Sequence, residues 1–318
     1  MKLTVKQLGA SDRAAYEAFL TKSQNKPHAT FLQTWEWGDF LEATSLEFIR
    51  LGFYNADTLV ATGQFARQKL RLGGSFWYCP RGLVMDYAHK KLVTATYAVL
   101  KRHFKAHGNG AAFLRFDPDI LRGNPAEAWI DSSHPAQAAI FTQAERVWLV
   151  DIQKDEQSQL EWLKNHGLRS NVPRYIRKAA RAGVTVRASG SPEDLETLIK
   201  MLEKLNIRKG GIGKHNNDHY RKQFEFMRDK GYEKVFLAEK DGQVLACALI
   251  AIFGREASYL HGASSDQERD LSAPHTLHFE IMKYLQANYP QVERYNFWGI
   301  VSDKNRKPSH PRHGYSEF

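Results

Sequence analysis

The stretch EKVFLAEKDGQVLACALIAIF, residues 233–253, decides the fold. Two runs rich in valine, isoleucine, leucine and phenylalanine flank the pair Asp241 and Gly242. Apolar runs of this length are typical of strands, and an Asp-Gly pair between two strands is typical of a tight hairpin turn. The stretch therefore predicts a β-hairpin.

The same series of elements occurs twice in the chain. After the hairpin, the sequence predicts a strand at ASYLHG, a helix at 274–288 and a strand at RYNFWG. The first half predicts a strand at 46–53, the turn YNADT, a strand at 58–72, a helix at 89–105 and a strand at AAFLRFD. The turn and the last strand are 56 residues apart in the first half (57 to 113) and 54 in the second (241 to 295). We infer a duplicated α/β unit with mixed sheets and helices on their faces.

Length and composition agree with two globular domains. The chain has 318 residues, of which 42% are hydrophobic and 25% charged. RGNPAEAWIDSSHPAQAA, residues 122–139, carries two prolines and little periodicity, which is typical of a junction or of a loop packed between domains. We expect a first domain at 1–145 and a second at 146–318.

Charge and cysteine content limit the partners and the compartment. The net charge of +10 favours polyanions such as nucleic acid, nucleotides or an anionic membrane face. Cys79 and Cys247 lie in apolar runs, so we expect neither a disulfide framework nor a metal cage. The N-terminus has no apolar signal core, and no window approaches the length of a membrane span. We expect a cytoplasmic protein.

A basic helix is predicted within SNVPRYIRKAARAGVTV, residues 170–186. Four cationic residues fall on one stripe of this helix: Arg174, Arg177, Lys178 and Arg181. Ile176, Ala180 and Gly183 fall on another stripe that can pack against a core. No acidic residue relieves the repulsion among the cations. The stripe is either an anion-binding surface or a solvated basic face.

Motifs for covalent or metal chemistry are absent from the sequence. It has no Walker loop, GxSxG elbow, HExxH pair or CxxC pair. HPRHG, residues 310–314, is expected to be an exposed tail rather than a metal site. RKGGIG, residues 208–213, matches a pyrophosphate loop of coenzyme A enzymes, but such a loop needs a strand before it. The preceding residues predict an amphipathic helix capped by Ser191, so we interpret RKGGIG as a connection.

Two aromatic segments contain candidate ligand contacts. FLQTWEWGDF, residues 31–40, places Trp35 and Trp37 on different faces of a helix, either as an anchoring cluster or as a ligand platform. FWYCPRGLVMDY, residues 76–87, joins Tyr78 to Arg81 through a loop at a strand end. Such a loop either presents the arginine to an anionic ligand or is a surface turn.

In this order, the segments resemble the FemABX family of nonribosomal peptidyl transferases, which build peptidoglycan cross-bridges from aminoacyl-tRNA. The resemblance spans nearly the whole chain. Its landmarks are FLQTWEW (31–37), YCPRGLVMD (78–86), LRFDP (114–118), the basic helix into AGVTV (182–186), SYLHGASS (258–265), APHTLHFEIMKY (273–284), YNFWGI (295–300) and HPRHGYSEF (310–318).

The resemblance implies two tandem GNAT-like domains of the compact type, without the coiled-coil arm of longer members. It implies an aminoacyltransferase that uses aminoacyl-tRNA as co-substrate and no other cofactor. It also implies a monomer with peripheral contact to the inner membrane face. The chain departs from the family at Leu83, where a second proline is usual. It ends at Phe318, before the lysine-rich segment that in relatives returns to the first domain and lies close to the transferred acyl group.

The resemblance also implies site residues. The precursor, UDP-MurNAc-pentapeptide or its lipid-linked form, is expected in a cleft of the first domain and its border. Five residues are expected to contact it: Trp37, Tyr78, Arg81, Arg115 and Asp117. Tyr220 and His261 are expected to be catalytic on the acyl-transfer side, with Tyr259 and Ser264 binding substrate. The basic stripe is expected to contact the tRNA acceptor arm.

Several alternatives stay open. Arg115 and Asp117 fit a structural ion pair equally well, and His261 fits a core group. An N-acyltransferase using coenzyme A, or aminoacyl-tRNA, on another amine is a rival enzyme. A noncatalytic RNA-binding module that stacks bases on Trp35 and Trp37 is a rival of another class.

Overall fold

A computed structural model describes residues 1–22, 25–70, 72–121, 123–133, 143–144, 146–166, 171–208, 215–266 and 269–300. The chain divides into two compact units, Met1–Gln143 and Ala144–Phe318. In the part described, no helix combines the length and apolar character that crossing a membrane requires.

The first unit contains a six-stranded mixed sheet. Its strands are β1 (Thr4–Gln7), β2 (Glu47–Asn55), β3 (Thr58–Lys69), β4 (Ser75–Cys79), β5 (Val84–Met85) and β6 (Leu114–Phe116). Its helices are α1 (Arg13–Thr21), α2 (Trp35–Thr44), α3 (Lys90–His107) and α4 (Ala126–Ser133). The strand order is β1-β2-β3-β4-β6, with β5 beside β3. The pairs are antiparallel except for β4 and β6, which are parallel.

Helices cover different faces of this sheet. Helix α3 packs Val93 and Tyr97 against Phe65 and Trp77 in one apolar core. The opposite face carries α2, whose first turn is capped by the hydroxyl of Thr34 accepting from the amide of Trp37 at 3.2 Å. The side chains on the two faces of β4 therefore meet different surroundings.

The second unit contains another six-stranded mixed sheet. Its strands are β7 (Val147–Asp151), β8 (Thr185–Ser189), β9 (Glu233–Lys240), β10 (Gln243–Phe253), β11 (Glu256–Ser264) and β12 (Arg294–Gly299). Its helices are α5 (Glu156–His166), α6 (Val172–Arg181), α7 (Pro192–Arg208), α8 (Asn217–Arg228) and α9 (Ala273–Asn288). The strand order is β7-β12-β11-β10-β9-β8. Only β11 and β12 pair in parallel among these strands.

Both faces of the second sheet are covered, because alternate residues of β10 enter two different cores. Ala248 and Ile250 pack with α9, and Ala179 of α6 belongs to the same core. Cys247 and Leu249 pack instead with side chains of α7 and α8. This double burial explains the continuous apolar run of β10.

The duplicated unit predicted from the sequence is confirmed. In each unit antiparallel strands form a meander, and a helix leads to a closing strand parallel to the last meander strand. Four details differ from the prediction. Helix α4 (Ala126–Ser133) lies within residues 122–139, which the sequence predicts to be a junction or a loop. Strand β3 ends at Lys69 rather than residue 72, and β6 is limited to Leu114–Phe116. In α6 the buried residues include Ala179, whereas Ala180 is exposed.

The helix predicted before RKGGIG is α7. The amide of Asp194 donates to the hydroxyl of Ser191 at 3.2 Å, so Ser191 caps the helix as predicted. Residues 209–214 and 301–318, which hold most of RKGGIG and all of HPRHG, lie outside the described residues.

Candidate functional site

One polar cluster lies where β4 and β6 end. The hydroxyl of Tyr78 lies 3.1 Å from both carboxylate oxygens of Asp117, and the backbone amide of Arg81 donates to Asp117 Oδ1 at 2.9 Å. The Arg81 guanidinium lies 3.8 Å from Asp117 Oδ2. Because β4 and β6 pair in parallel, with Tyr78 opposite Arg115, their ends bring these groups together. The structure thus joins three of the predicted precursor-binding residues.

Burial controls the electrostatics of this Tyr78–Arg81–Asp117 cluster. Burial raises the pKa of Asp117 above its usual range, although the guanidinium of Arg81 and the hydrogen bonds act in the opposite direction. Burial, together with the charge of Asp117, raises the pKa of Tyr78. The side chain of Asp117 keeps 29% of its surface exposed. It is therefore a reachable carboxylate that holds a proton more tightly than an ordinary aspartate.

A buried glutamine, which the sequence did not single out, supports the loop of this cluster. Gln33 Nε2 donates to the carbonyl of Pro80 at 2.7 Å, and its Oε1 accepts from the amide of Gln64 at 3.1 Å. A side chain at Gly82 would meet Cys79 Sγ at 2.3 Å and Gln33 Nε2 at 3.0 Å. Gln33 therefore ties the loop to β3, and Gly82 permits the close approach.

Both tryptophans of FLQTWEWGDF are buried. Trp35 is 5% exposed and lies beneath the guanidinium of Arg50, 3.9 Å from the ring centroid. Trp37 is 9% exposed and packs against Phe31 and Phe40. Neither ring can serve as an open stacking surface, so the structure favours the anchoring interpretation.

Arg115 lies opposite Tyr78 on the same face of the sheet. Its guanidinium extends towards the start of the two strands, where Phe76 and Phe113 lie. Its guanidinium lies 5.6 Å from the ring of Phe76 and 5.5 Å from that of Phe113, and the two rings stack at 5.0 Å. Asp117 is held by Tyr78 and Arg81, whereas Arg115 rests on aromatic rings. Arg115 is thus positioned by cation–π contacts.

In the second unit, His261 and Tyr220 are in contact, with ring centroids 4.8 Å apart. Two further histidines join them: His215 and His219 stack at 3.9 Å, and His215 lies 6.0 Å from His261. The sequence reasoning missed these two: His219 lies in the first turn of α8, whereas His215 lies before the N-cap residue Asn216, where no helical spacing relates it to His219. Within the described parts of the chain, no group of His, Cys, Asp and Glu side chains could hold a metal ion.

All three histidines of this cluster favour the neutral form. Burial lowers the pKa of His261 to about 3 and that of His219 to about 4, and it also lowers the pKa of His215. Neighbouring imidazoles lower the pKa of His261 further. At neutral pH His261 is therefore uncharged, so that one of its ring nitrogens can accept a hydrogen bond, but it is a weak proton acceptor.

Tyr259 and Ser264 lie away from His261. His261 pairs across the strands with Leu249, in the core formed with α7 and α8. A register shift at Leu249/Ile250 places Tyr259 opposite Ile250, on the face covered by α9, where its ring lies 4.7 Å from that of His278. Ser264 pairs with Ala246, which belongs to that same α9-side core. The predicted acyl-side residues are therefore divided between two faces of the sheet.

The basic stripe is exposed on α6, as the sequence indicated. Its four cations point away from a buried face formed by Val172, Pro173, Ile176 and Ala179. Lys178 Nζ donates to the carbonyl and carboxylate of Asp270, at 2.6 and 3.1 Å. Among the described residues Arg174, Arg177 and Arg181 form no ion pair. Three arginines therefore remain available to an anionic ligand.

Comparison with known proteins identifies the family. The model of the FemAB family matches residues 13–239 and 227–309. The chain belongs to the FemAB family. It is 22% identical over 362 residues to a lipid II:glycine glycyltransferase of Staphylococcus epidermidis, covering 93% of this chain and 85% of that protein. It is 23% identical over 236 residues to the UDP-N-acetylmuramoylpentapeptide-lysine N(6)-alanyltransferase of Weissella viridescens, covering 72% of this chain and 67% of that protein.

Solved structures share the fold of this FemAB member. The crystal structure of FemX superposes with a TM-score of 0.78 at 19% identity, covering 96% of this chain and 91% of FemX. A tandem GNAT protein from the clavulanic acid pathway gives a TM-score of 0.54 at 12% identity, covering 99% and 93%. The predicted fold class, two tandem GNAT-like domains, is confirmed, and so is the resemblance to the Fem proteins. The transferase activities named for the relatives confirm the predicted enzyme class, an aminoacyltransferase.

Proposed function

We propose that this FemAB protein transfers an amino acid from aminoacyl-tRNA to an amine of a peptidoglycan precursor stem peptide, forming the interpeptide bridge. The Tyr78–Arg81–Asp117 cluster is the observation that carries the proposal, because it places an anion-binding and a cation-binding group side by side. The names of the relatives, a lipid II glycyltransferase and a muramoylpentapeptide-lysine alanyltransferase, supply the acceptor class.

On the acceptor side, the two charged side chains of the cluster suit two different groups of the precursor. Arg81 can bind a phosphate or carboxylate of the precursor through a charge-assisted hydrogen bond. Asp117, which is partly exposed, can bind the ammonium group that must become the nucleophile. Its raised pKa makes it a better proton acceptor than an ordinary aspartate.

On the donor side, the basic stripe suits the phosphates of a tRNA acceptor arm. Arg174, Arg177 and Arg181 supply exposed charge, whereas Lys178 must first leave Asp270. Tyr220 and neutral His261 can position the aminoacyl group by packing and hydrogen bonding. The low pKa of His261 assigns it this role rather than that of a strong base.

The chemistry requires positioning more than a reactive side chain. The aminoacyl ester is already activated, so a free amine attacks its carbonyl carbon directly. Asp117 accepts the proton that the ammonium releases, the C–N bond forms, the ester C–O bond breaks, and the leaving tRNA oxygen takes a proton from the attacking amine. Neither cysteine suits a covalent route, because burial raises the pKa of both Cys79 and Cys247.

The structure argues against one of the two rival functions and does not distinguish the other from the proposed one. A noncatalytic RNA-binding module that stacks bases on Trp35 and Trp37 is disfavoured because both rings are buried. An N-acyltransferase using coenzyme A, or aminoacyl-tRNA on another amine, shares the fold, so only its products separate it from the proposed enzyme.

The decisive experiment supplies each donor with each acceptor. The protein is incubated with tRNA charged with glycine, alanine or serine, together with UDP-MurNAc-pentapeptide or the lipid-linked precursor. Mass spectrometry should show one acceptor gaining one amino-acid residue, and RNase treatment should abolish the gain. An Asp117→Asn variant should lose transfer while still binding charged tRNA.

Two results would overturn the proposal. The first is the absence of product with every donor and acceptor from a folded protein. The second is acyl transfer from an acyl-coenzyme A, with release of the free thiol and no requirement for tRNA.

A further inference from the structure

Five large apolar side chains are exposed among the described residues of the first unit, and three of them lie directly before a strand or in a hairpin. Leu46, directly before β2, is 52% exposed; Leu72, in the β3–β4 hairpin, is 100% exposed; and Phe113, directly before β6, is 41% exposed. The other exposed large apolar side chains of the described residues are Met1, Leu121 and Ile207. Solvent-exposed apolar side chains that cluster are typical of an interaction surface.

Strand pairing brings these three side chains to one end of the sheet. Strand β2 begins where β3 ends, since Glu47 pairs with Arg67. The hairpin joins β3 to β4 at that same end, where Lys69 pairs with Ser75. Strand β6 begins beside the start of β4, because the amide of Ala112 donates to the carbonyl of Ser75 at 2.8 Å. Leu46, Leu72 and Phe113 therefore define one apolar tip.

The surroundings of this apolar tip are basic. Helix α3 ends there, because Trp77 Nε1 donates to the carbonyl of Gly108 at 3.1 Å. Lys69 is exposed, as are Arg102 and Lys105 in the last two turns of α3.

Acidic residues offset little of this charge. Glu47 is bound to Arg67 at 3.2 Å and accepts from Asn109 at 2.8 Å. Glu42 is the exposed acid nearest in sequence to Leu46. The lysines and arginines around the apolar tip therefore leave an excess of positive charge.

We propose that the apolar tip docks on an anionic membrane surface, with Leu46, Leu72 and Phe113 entering the headgroup boundary. Neither signal alone holds a protein on a bilayer, but apolar insertion combined with a cationic rim does. The exposed cations Lys69, Arg102 and Lys105 complement the negative charge of an anionic headgroup surface, and this complementarity selects a membrane as the occupant.

The docked orientation places the Tyr78–Arg81–Asp117 cluster at the far end of the same strands. A strand rises about 3.3 Å per residue, so the four steps along β4 from Ser75 to Cys79 separate the cluster from the apolar tip by about 13 Å. The docked orientation selects the lipid-linked precursor as the acceptor. Only this choice of acceptor rests on the proposed function.

Vesicle binding tests the docking without any substrate. The full chain is sedimented with vesicles of phosphatidylcholine alone and with vesicles that also contain phosphatidylglycerol. A double variant, Leu46→Ser with Leu72→Ser, should bind the anionic vesicles at least about tenfold more weakly. Ile207→Ser is the matched control, because Ile207 is 79% exposed but belongs to the second unit. It should bind like the wild type.

An environment-sensitive dye locates the inserted residue. Cys79 and Cys247 are buried, so a Leu72→Cys variant can be labelled selectively at the apolar tip. Its emission should shift to the blue with anionic vesicles, whereas the same dye at Ile207→Cys should not shift. Absence of vesicle binding by the wild type, or equal binding by the double variant, would overturn the docking proposal. The proposal would also be overturned if the emission of the dye at Leu72→Cys still indicated an aqueous environment when the protein is bound to vesicles.

An activity comparison separates this inference from the proposed function. The double variant should transfer to UDP-MurNAc-pentapeptide at the wild-type rate but lose transfer to lipid-linked precursor in vesicles. If the wild type transfers to neither acceptor yet binds vesicles through Leu72, the proposed function fails and the docking surface stands. If transfer to both acceptors is unaffected, the selection of the lipid-linked acceptor is wrong.

Discussion

Glu233, the first residue of β9, is a buried acid whose replacement should stabilise the protein in a pH-dependent way. The residue is 1% exposed. Its Oε1 accepts from Gln223 Nε2 at 2.6 Å, while Oε2 is buried with no partner among the described residues. Burial raises the pKa of Glu233 to about 8, and the hydrogen bond from Gln223 offsets only part of that effect.

The sign and size of the effect follow from proton linkage. The folded state holds the proton up to a pH of about 8, whereas the unfolded chain releases it near 4.5. Folding therefore becomes less favourable as the pH rises from 4.5 to 8. The carboxyl costs about 1 kcal/mol of unfolding free energy at pH 5 and about 4 kcal/mol at pH 8.

A Glu233→Gln variant removes the titration and keeps an oxygen that can accept from Gln223. Its unfolding free energy relative to wild type should rise by about 3 kcal/mol between pH 5 and pH 8. Equilibrium urea unfolding at both pH values measures this difference. Hydrogen exchange of peptides from β9 and β10 assigns the transition to the second unit.

Glu225→Gln provides the matched control, since Glu225 is an exposed acid on the same helix, α8, as Gln223. Its effect on stability should be small and equal at both pH values. The reasoning is refuted if Glu233→Gln gives the same difference at pH 5 and pH 8, or if it stabilises more at the lower pH.

Three further predictions concern the site. Arg177→Ala should reduce the log–log salt slope of tRNA binding by about one, and Lys178→Ala by less because Lys178 is tied to Asp270; a larger effect at Lys178 would contradict this. Arg81→Ala should raise the KM for the precursor about tenfold with a smaller change in kcat, since a charge-assisted hydrogen bond is lost, and an unchanged KM in steady-state kinetics would remove Arg81 from the site. His261→Asn should leave the shape of the pH–rate profile between pH 6 and pH 9 unchanged, because the pKa of His261 is about 3; loss of a limb near neutral pH would show that His261 titrates there.

Several parts of this protein could be predicted from the sequence because local patterns control them. The Asp241–Gly242 turn and the apolar runs beside it predicted β9 and β10. The exposure of Arg174, Arg177 and Arg181 followed from the angular step of a helix. The fold class followed from the order and spacing of elements, which the two sheets repeat.

Other features depended on contacts between residues distant in the chain. Gln33 meets the carbonyl of Pro80, and Tyr78 meets Asp117, only because α2, β3, β4 and β6 are adjacent in the folded unit. The burial of Trp37 depends on packing against Phe31 and Phe40, which the alternation of faces alone does not reveal.

The second sheet shows the same division between sequence and structure. SYLHGASS identified Tyr259, His261 and Ser264 as neighbours along the chain. The register shift in β10 and β11 decided that His261 faces His215 while Tyr259 faces α9. The sequence by itself determined the elements of the repeated unit and their order, because periodicity and turn chemistry act over a few residues. Tertiary structure decided which side chains meet and which carboxyls lose their water, because strand register and close packing join residues that are far apart along the chain.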